Sequence, residues 1–134
     1  MIRSAARLLL AGFYALAGYF HLVRPEPFLT IMPSWVPAPG AVVLWTGVAE
    51  LLGAIALVQP FSSQLRKAGG IGLALYAICV FPANIHHFAL DMARPDGGLG
   101  LGYHMPRMFA QPVLVWLALS TGGVTDWPHR RRQT

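Results

Sequence analysis

Apolar positions dominate four stretches of the chain, set apart by short segments rich in proline, glycine or arginine. Residues 5–23 (AARLLLAGFYALAGYFHLV) and 41–59 (AVVLWTGVAELLGAIALVQ) are the first two, 68–90 (AGGIGLALYAICVFPANIHHFAL) the third, and 103–124 hold the fourth. A helix needs roughly 20 mostly apolar residues to cross about 30 Å of hydrocarbon, and each stretch is near that length. The pattern predicts an all-α fold: an integral membrane four-helix bundle, antiparallel and up-down, forming one domain over 1–134. Segment 24–40 (RPEPFLTIMPSWVPAPG) carries five prolines, which exclude a long helix. Its Phe28, Ile31, Met32 and Trp35 suit the bilayer interface, so a short interfacial turn or cap over the bundle is expected. Segment 91–102 is glycine-rich, and the second connection, around Arg66 and Lys67, reads as a brief basic turn.

Composition strengthens this picture. Apolar residues make up 55% and charged residues 11%, where an average soluble domain has about 25% charged. Four buried soluble helices in so short a chain would leave nothing to shield them, so the cover is lipid. The run after Arg3 and Arg7 has the look of a signal peptide. No small-residue cleavage site follows it, however, and its removal would leave an odd number of spans.

Charge sets the orientation. Arg3, Arg7, Arg66, Lys67, Arg130, Arg131 and Arg132 fall on one side of a four-span arrangement, and Arg24, Arg94 and Arg107 on the other. The positive-inside rule puts both termini of this multi-pass membrane protein in the cytoplasm. The terminal HRRRQT reads as an anchor near anionic headgroups. The net charge of +5 is mostly this topology signal, and no basic groove with aromatic interleaving remains for nucleic acid. Cys79 is the only cysteine, which excludes an internal disulfide and Cys-x-x-Cys exchange. Small residues at Ala49/Gly53 and Gly70/Ala74 offer close helix approach.

Polar residues within spans are costly and turn to the interior. Here they repeat at helical spacing: Tyr14, Gly18 and His21; Thr46, Glu50 and Gly53; Asn84, His87 and Asp91; His104, Arg107 and Gln111. Each set shares one helix face. An outer layer of His21, His86, His87, Asp91, His104 and Arg107 is expected, with Tyr14, Glu50, Asn84 and Gln111 about 10 Å below it by helical rise. The asymmetry suggests a pocket that opens outward. Glu50 is a mid-span carboxylate and the leading candidate for function. Its expected partners, directly or through one water, are Tyr14, Asn84 or Gln111, with Asn84 favoured because short connections make neighbours. Each histidine alone is more often an interfacial anchor. Together His21, His87 and His104 are the less favoured ligands for a metal, or two of them for a haem iron. Arg107 can pair with Asp91.

Four segments, GYFHLVRPEPFLTIMPSWVP, TGVAELLGAIAL, VFPANIHH and RMFAQPVLVW, together resemble the DoxX-like family of small four-helix bacterial membrane proteins, over about 11–116. The most specific pieces are His21-x-x-x-Pro25, Gly-x-x-Glu50, Pro82-Ala-Asn84 and Arg107-x-x-x-Gln111. The resemblance implies the fold more than a function. Such proteins include subunits of quinone-linked oxidoreductases such as an archaeal thiosulfate:quinone oxidoreductase, a mycobacterial component of an oxidative-stress complex, and a distant animal receptor-assembly chaperone. The chain departs from them in its histidine pair, its glycine-rich third loop and its lack of paired cysteines, which weakens thiol-redox analogies.

Two readings follow. In the first, a redox-linked component binds a quinone-like lipid or small apolar ligand, with Glu50, His21 and His87 handling protons and Tyr14, Asn84, His104, Arg107 and Gln111 binding the ligand. In the second, a non-enzymatic scaffold docks another membrane or redox protein, and its polar layers are internal hydrogen bonds. A haem or metal protein is a third. The sequence leaves the oligomeric state open. A cavity lined by the polar residues favours the first reading; polar residues closed on each other favour the second.

Overall fold

Five helices occupy the described residues, 1–125, of the computed structural model: α1 (Ile2–Val23), α2 (Glu26–Thr30), α3 (Pro39–Val58), α4 (Ser63–Met92) and α5 (Leu101–Gly122). The expected headgroup anchor, with Arg130, Arg131 and Arg132, lies outside the described residues. Proline sets most of the boundaries. Pro25 disfavours helical backbone in the residue before it, and Arg24 leaves the helix with φ −138° and ψ 66°. Pro39 opens α3, where its missing N–H costs nothing.

The connection after α3 is tighter than the sequence suggests. Gln59 closes it, donating from Nε2 to the carbonyls of Ala56 (3.1 Å) and Ser62 (2.7 Å) and accepting from the Ser62 N–H at 2.9 Å. Ser62 then caps α4 by accepting from Leu65 N–H at 3.2 Å. Arg66 and Lys67, expected in a loop, therefore belong to the start of α4. That helix runs 30 residues, about 45 Å by helical rise, and continues through Pro82.

Three helices, α1, α3 and α4, are long and apolar enough to cross a membrane. The fourth long helix, α5, matches α1 at 22 residues, but Pro106, Arg107, Gln111 and Pro112 lower its mean hydropathy. Leu9, Leu52, Ile55 and Phe109 point outward, each more than 60% exposed. Outward leucines at this density need an apolar surrounding.

Each long helix packs against the next in chain order, and the last meets the first. α1 packs against α3 and α5, and α4 packs against the same two, which closes a ring of contacts. The α1–α3 seam is close because two glycines meet there. A Cβ on Gly18 would lie 2.7 Å from the Gly47 carbonyl oxygen. Of the small residues expected at interfaces, Gly53 packs on Leu73 and Gly70 on Ala118, while Ala49 is exposed. Leu10, Tyr14, Leu57, Leu73 and Ala118 form the apolar core. At the N-terminal end of α1, Arg3 donates to the Ser120 carbonyl at 2.6 and 2.9 Å and Arg7 to that of Thr121 at 3.1 Å. These bonds bring cations to the carbonyls of the last turn of α5, where the helix dipole favours them; the Ser120 carbonyl also accepts from the Gly123 N–H at 3.2 Å.

Candidate functional site

The four long helices and the α2 segment enclose a cavity of about 620 Å³. Its walls are mainly apolar, and Phe28, Ile31, Met32, Pro33 and Trp35 from the proline-rich segment line its mouth. Into it project Tyr14, His21, Glu50, Asn84, Arg107 and Gln111. Six of the eight candidate site residues therefore share one space. Pro82 lines it too, where the α4 backbone lacks an N–H.

Glu50 is turned inward, at 2% exposure. No direct hydrogen bond joins it to Tyr14, Asn84 or Gln111. The carboxylate instead lies 2.9 Å from His21 Nδ1 (Oε2), and the Tyr76 hydroxyl interacts with it. The layers derived from Cα heights misplace His21. Side chains on a helix lean toward its N-terminus, which drops the imidazole of His21 toward the carboxylate, and the Gly18–Gly47 seam brings the two helices close enough to meet. Chain adjacency favoured α4; the tighter contact of α1 prevails. His21 Nδ1 also lies 2.9 Å from the Ala17 carbonyl, and its ring stacks on Phe28 at 3.7 Å between centroids. The buried pair is thus fixed to the mouth of the cavity.

His87 and His104, expected in the same pocket, turn away from it. Both face Asp91: His104 Nε2 is 2.9 Å from Oδ2 and His87 Nε2 is 3.5 Å from the same oxygen. The Leu99 N–H donates to that oxygen at 2.9 Å. A buried carboxylate takes the nearest donors, and two imidazoles one helix apart are nearest. Gly98 is required here twice, since its φ is +56° and a Cβ would overlap the Asp91 carboxylate. Arg107 does not pair with Asp91; its Nη1 donates to His87 Nδ1 at 2.8 Å, and its guanidinium lies 5.6 Å from the Tyr103 ring centre. His86 ties the proline-rich segment down, with Nδ1 2.8 Å from the Ile31 carbonyl.

The metal set expected from His21, His87 and His104 does not converge, because His21 belongs to Glu50. His87, Asp91 and His104 do bring three ligand atoms within 4.8 Å of one another. Their proton arrangement opposes coordination. Arg107 can only donate, so His87 Nδ1 accepts and Nε2 carries the proton toward Asp91. His104 likewise donates from Nε2, and its Nδ1 is buried without a hydrogen-bond partner among the described residues. An ion would displace both protons to nitrogens that have nowhere to put them, one against a guanidinium and one in an apolar wall. The trio is a closed hydrogen-bond hub.

Tyr76 and Tyr103 were missed as site residues. Tyr76 falls eight residues before Asn84, on the same α4 face, and that spacing could have marked it. In the loop beyond α4, Asp96 accepts from Arg94 at 3.0 Å and from Gly98 N–H at 3.0 Å. The Arg94 bond first, then that amide, hold its carboxyl below the usual range.

Fold and cavity together define an all-helical protein with three helices fit to cross a membrane. The chain belongs to the family described as a domain of unknown function (DUF8561), whose family model matches residues 10–122, from α1 to the end of α5. No curated protein and no solved structure matches the chain.

Proposed function

We propose that this is a four-span protein of the bacterial inner membrane, with both termini cytoplasmic, that binds a quinone-like ligand and serves as a redox-linked component. The observation that carries the reading is the 620 Å³ apolar cavity with a buried carboxylate–imidazole pair in its wall. That combination suits a flat apolar ring that exchanges protons. Glu50 is the proton carrier and His21, stacked on Phe28 at the mouth, links it to the outer face. Arg107, locked by His87, presents its remaining N–H groups to a carbonyl or anionic oxygen of the ligand. His87 and His104 act indirectly, by holding Arg107 and the loop at 97–100. The cluster of Arg3, Arg7 and Arg66 at one end supports a cytoplasmic N-terminus. The DoxX-like resemblance supports the same architecture and the link to quinones. A scaffold needs no such cavity, so the space itself favours ligand binding.

The test is a titration of the purified protein in nanodiscs with a short-tailed quinone, followed by tryptophan fluorescence. Saturable quenching is expected, with Trp35→Phe removing most of it, because Trp35 lines the cavity. Ala83→Trp, which fills the cavity, should abolish binding. Linear, non-saturating quenching unaffected by either substitution would overturn the reading.

A further inference from the structure

Arginines from two helices gather at the end of α5. Arg3 and Arg7 stand one turn apart on α1, Arg66 stands in the first turn of α4, and all three are half-buried. The end of α5 adjoins both helices. A Cβ on Gly122 would lie 3.2 Å from the Arg66 carbonyl oxygen, and one on Gly123 would lie 3.4 Å from Arg3 Nη2. Arg7 feels the charges of both Arg66 and Arg3. None of the three pairs with a carboxylate among the described residues. Their acceptors there are carbonyls: Ser120 for Arg3, Thr121 for Arg7 and Gln59 for Arg66. Both terminal nitrogens of Arg7, and one each on Arg3 and Arg66, have no acceptor among those residues. The sequence offers little to neutralise the cluster. Asp126 is the sole acidic residue on this side of a four-span arrangement, against Arg3, Arg7, Arg66, Lys67, Arg130, Arg131 and Arg132.

We propose that Arg3, Arg7 and Arg66 form a binding site for the phosphodiester group of one anionic phospholipid. Guanidinium groups meet phosphate oxygens with paired N–H bonds. The carbonyls of α5 already hold Arg3 and Arg7 through Nε, so part of the ordering cost is met before the lipid arrives. Like charges held together repel, and a phosphodiester among them relieves that repulsion. The surroundings favour a lipid over phosphate taken from water. Leu8, Leu9 and Leu65 adjoin the arginines in sequence and are exposed, on two helices apolar enough to cross a membrane. Acyl chains can cover them while the headgroup meets the cations. The site is remote from the cavity and stands whether or not a quinone binds there.

Native mass spectrometry tests the proposal on wild-type protein in detergent, supplied with equal amounts of phosphatidylglycerol and phosphatidylcholine. One phosphatidylglycerol per chain should be retained, at least about tenfold in preference to phosphatidylcholine. Arg7→Gln and Arg66→Gln should each lower that retention about fivefold. Arg94→Gln, beyond the opposite end of α4, should leave it unchanged. Millimolar inorganic phosphate should not displace the lipid; displacement would mark a site for soluble phosphate and overturn the proposal. Several phosphatidylglycerols lost alike in all three variants would show diffuse attraction and overturn it too. Equal retention of the two lipids by wild type overturns it outright, and that comparison does not depend on any variant folding.

Discussion

Adding one methyl group at Gly18 probes the seam on which the site depends. A Cβ there would lie 2.7 Å from the Gly47 carbonyl oxygen, 3.0 Å from Leu51 Cγ and 3.1 Å from Glu50 Cβ. Leu51 can rotate away; a helical carbonyl cannot. Restoring ordinary contact distances requires α1 and α3 to separate by about half an ångström or more, and that motion draws His21 off Glu50. Overpacking of this kind costs about 1–3 kcal/mol. Alanine also gains about 1 kcal/mol over glycine in helix propensity, so the raw effect understates the clash. Gly12 supplies the control, since a Cβ there meets nothing within 4 Å and its alanine variant receives the propensity gain alone. The difference between Gly18→Ala and Gly12→Ala isolates the clash, at about 1–3 kcal/mol of destabilisation. Reversible unfolding in mixed micelles measures it, and quinone titration of the same samples should show weakened binding only for Gly18→Ala. Equal stability changes for the two variants would refute the close seam and, with it, the explanation of how His21 reaches Glu50.

Other outcomes are fixed by the hub and the outer loop. Asp91→Asn places an amide where His104 and Leu99 both donate, so its melting temperature should fall well below that of Asp96→Asn, whose side chain is in water. Gly98→Ala should reproduce the Asp91→Asn loss, since it combines backbone strain with overlap of the same carboxylate. Asp96 has a folded-state pKa held below its unfolded value, so the stability contributed by its pair with Arg94 is present above about pH 4 and is lost as pH falls through the depressed value. Asp96→Asn should remove that acid dependence in thermal melts between pH 5 and 3. Zinc titration followed by elemental analysis should show no stoichiometric uptake at His87, Asp91 and His104, and a bound ion lost in His104→Ala would contradict the proton arrangement of the hub. Cysteine accessibility on a Cys79→Ser background should label positions near Pro33 and Gly98 from outside and near Arg66 from the cytoplasm.

Helix positions and the faces they present follow from patterning. Four apolar stretches with prolines between them mark α1, α3, α4 and α5, and helical spacing of polar residues marks Tyr14, Glu50, Asn84 and Gln111 as sharing an interior. Contacts between helices are another matter, because they depend on side-chain direction and on which neighbours approach most closely. Cα height puts His21 in an outer layer, yet its ring leans inward to reach Glu50. His87 and His104 were placed in the cavity, yet Asp91 and the Leu99 N–H draw both away. The loop that supplies that N–H has no periodicity from which its fold could be read. Tyr76 is an aromatic in an apolar run and reads as packing, although its register with Asn84 and His87 places it on the site's face.

A quinone-type ring held in the cavity beneath α2 should stay with the protein when it leaves the membrane. The most direct measurement is mass spectrometry of the lipids that co-purify with the protein extracted from its membrane in native nanodiscs, comparing wild type with the cavity-filled Ala83→Trp variant. A near-stoichiometric quinone or quinol is expected with wild type and its loss from the variant, with phospholipid unchanged. Only phospholipid in both samples, in equal amounts, would contradict it.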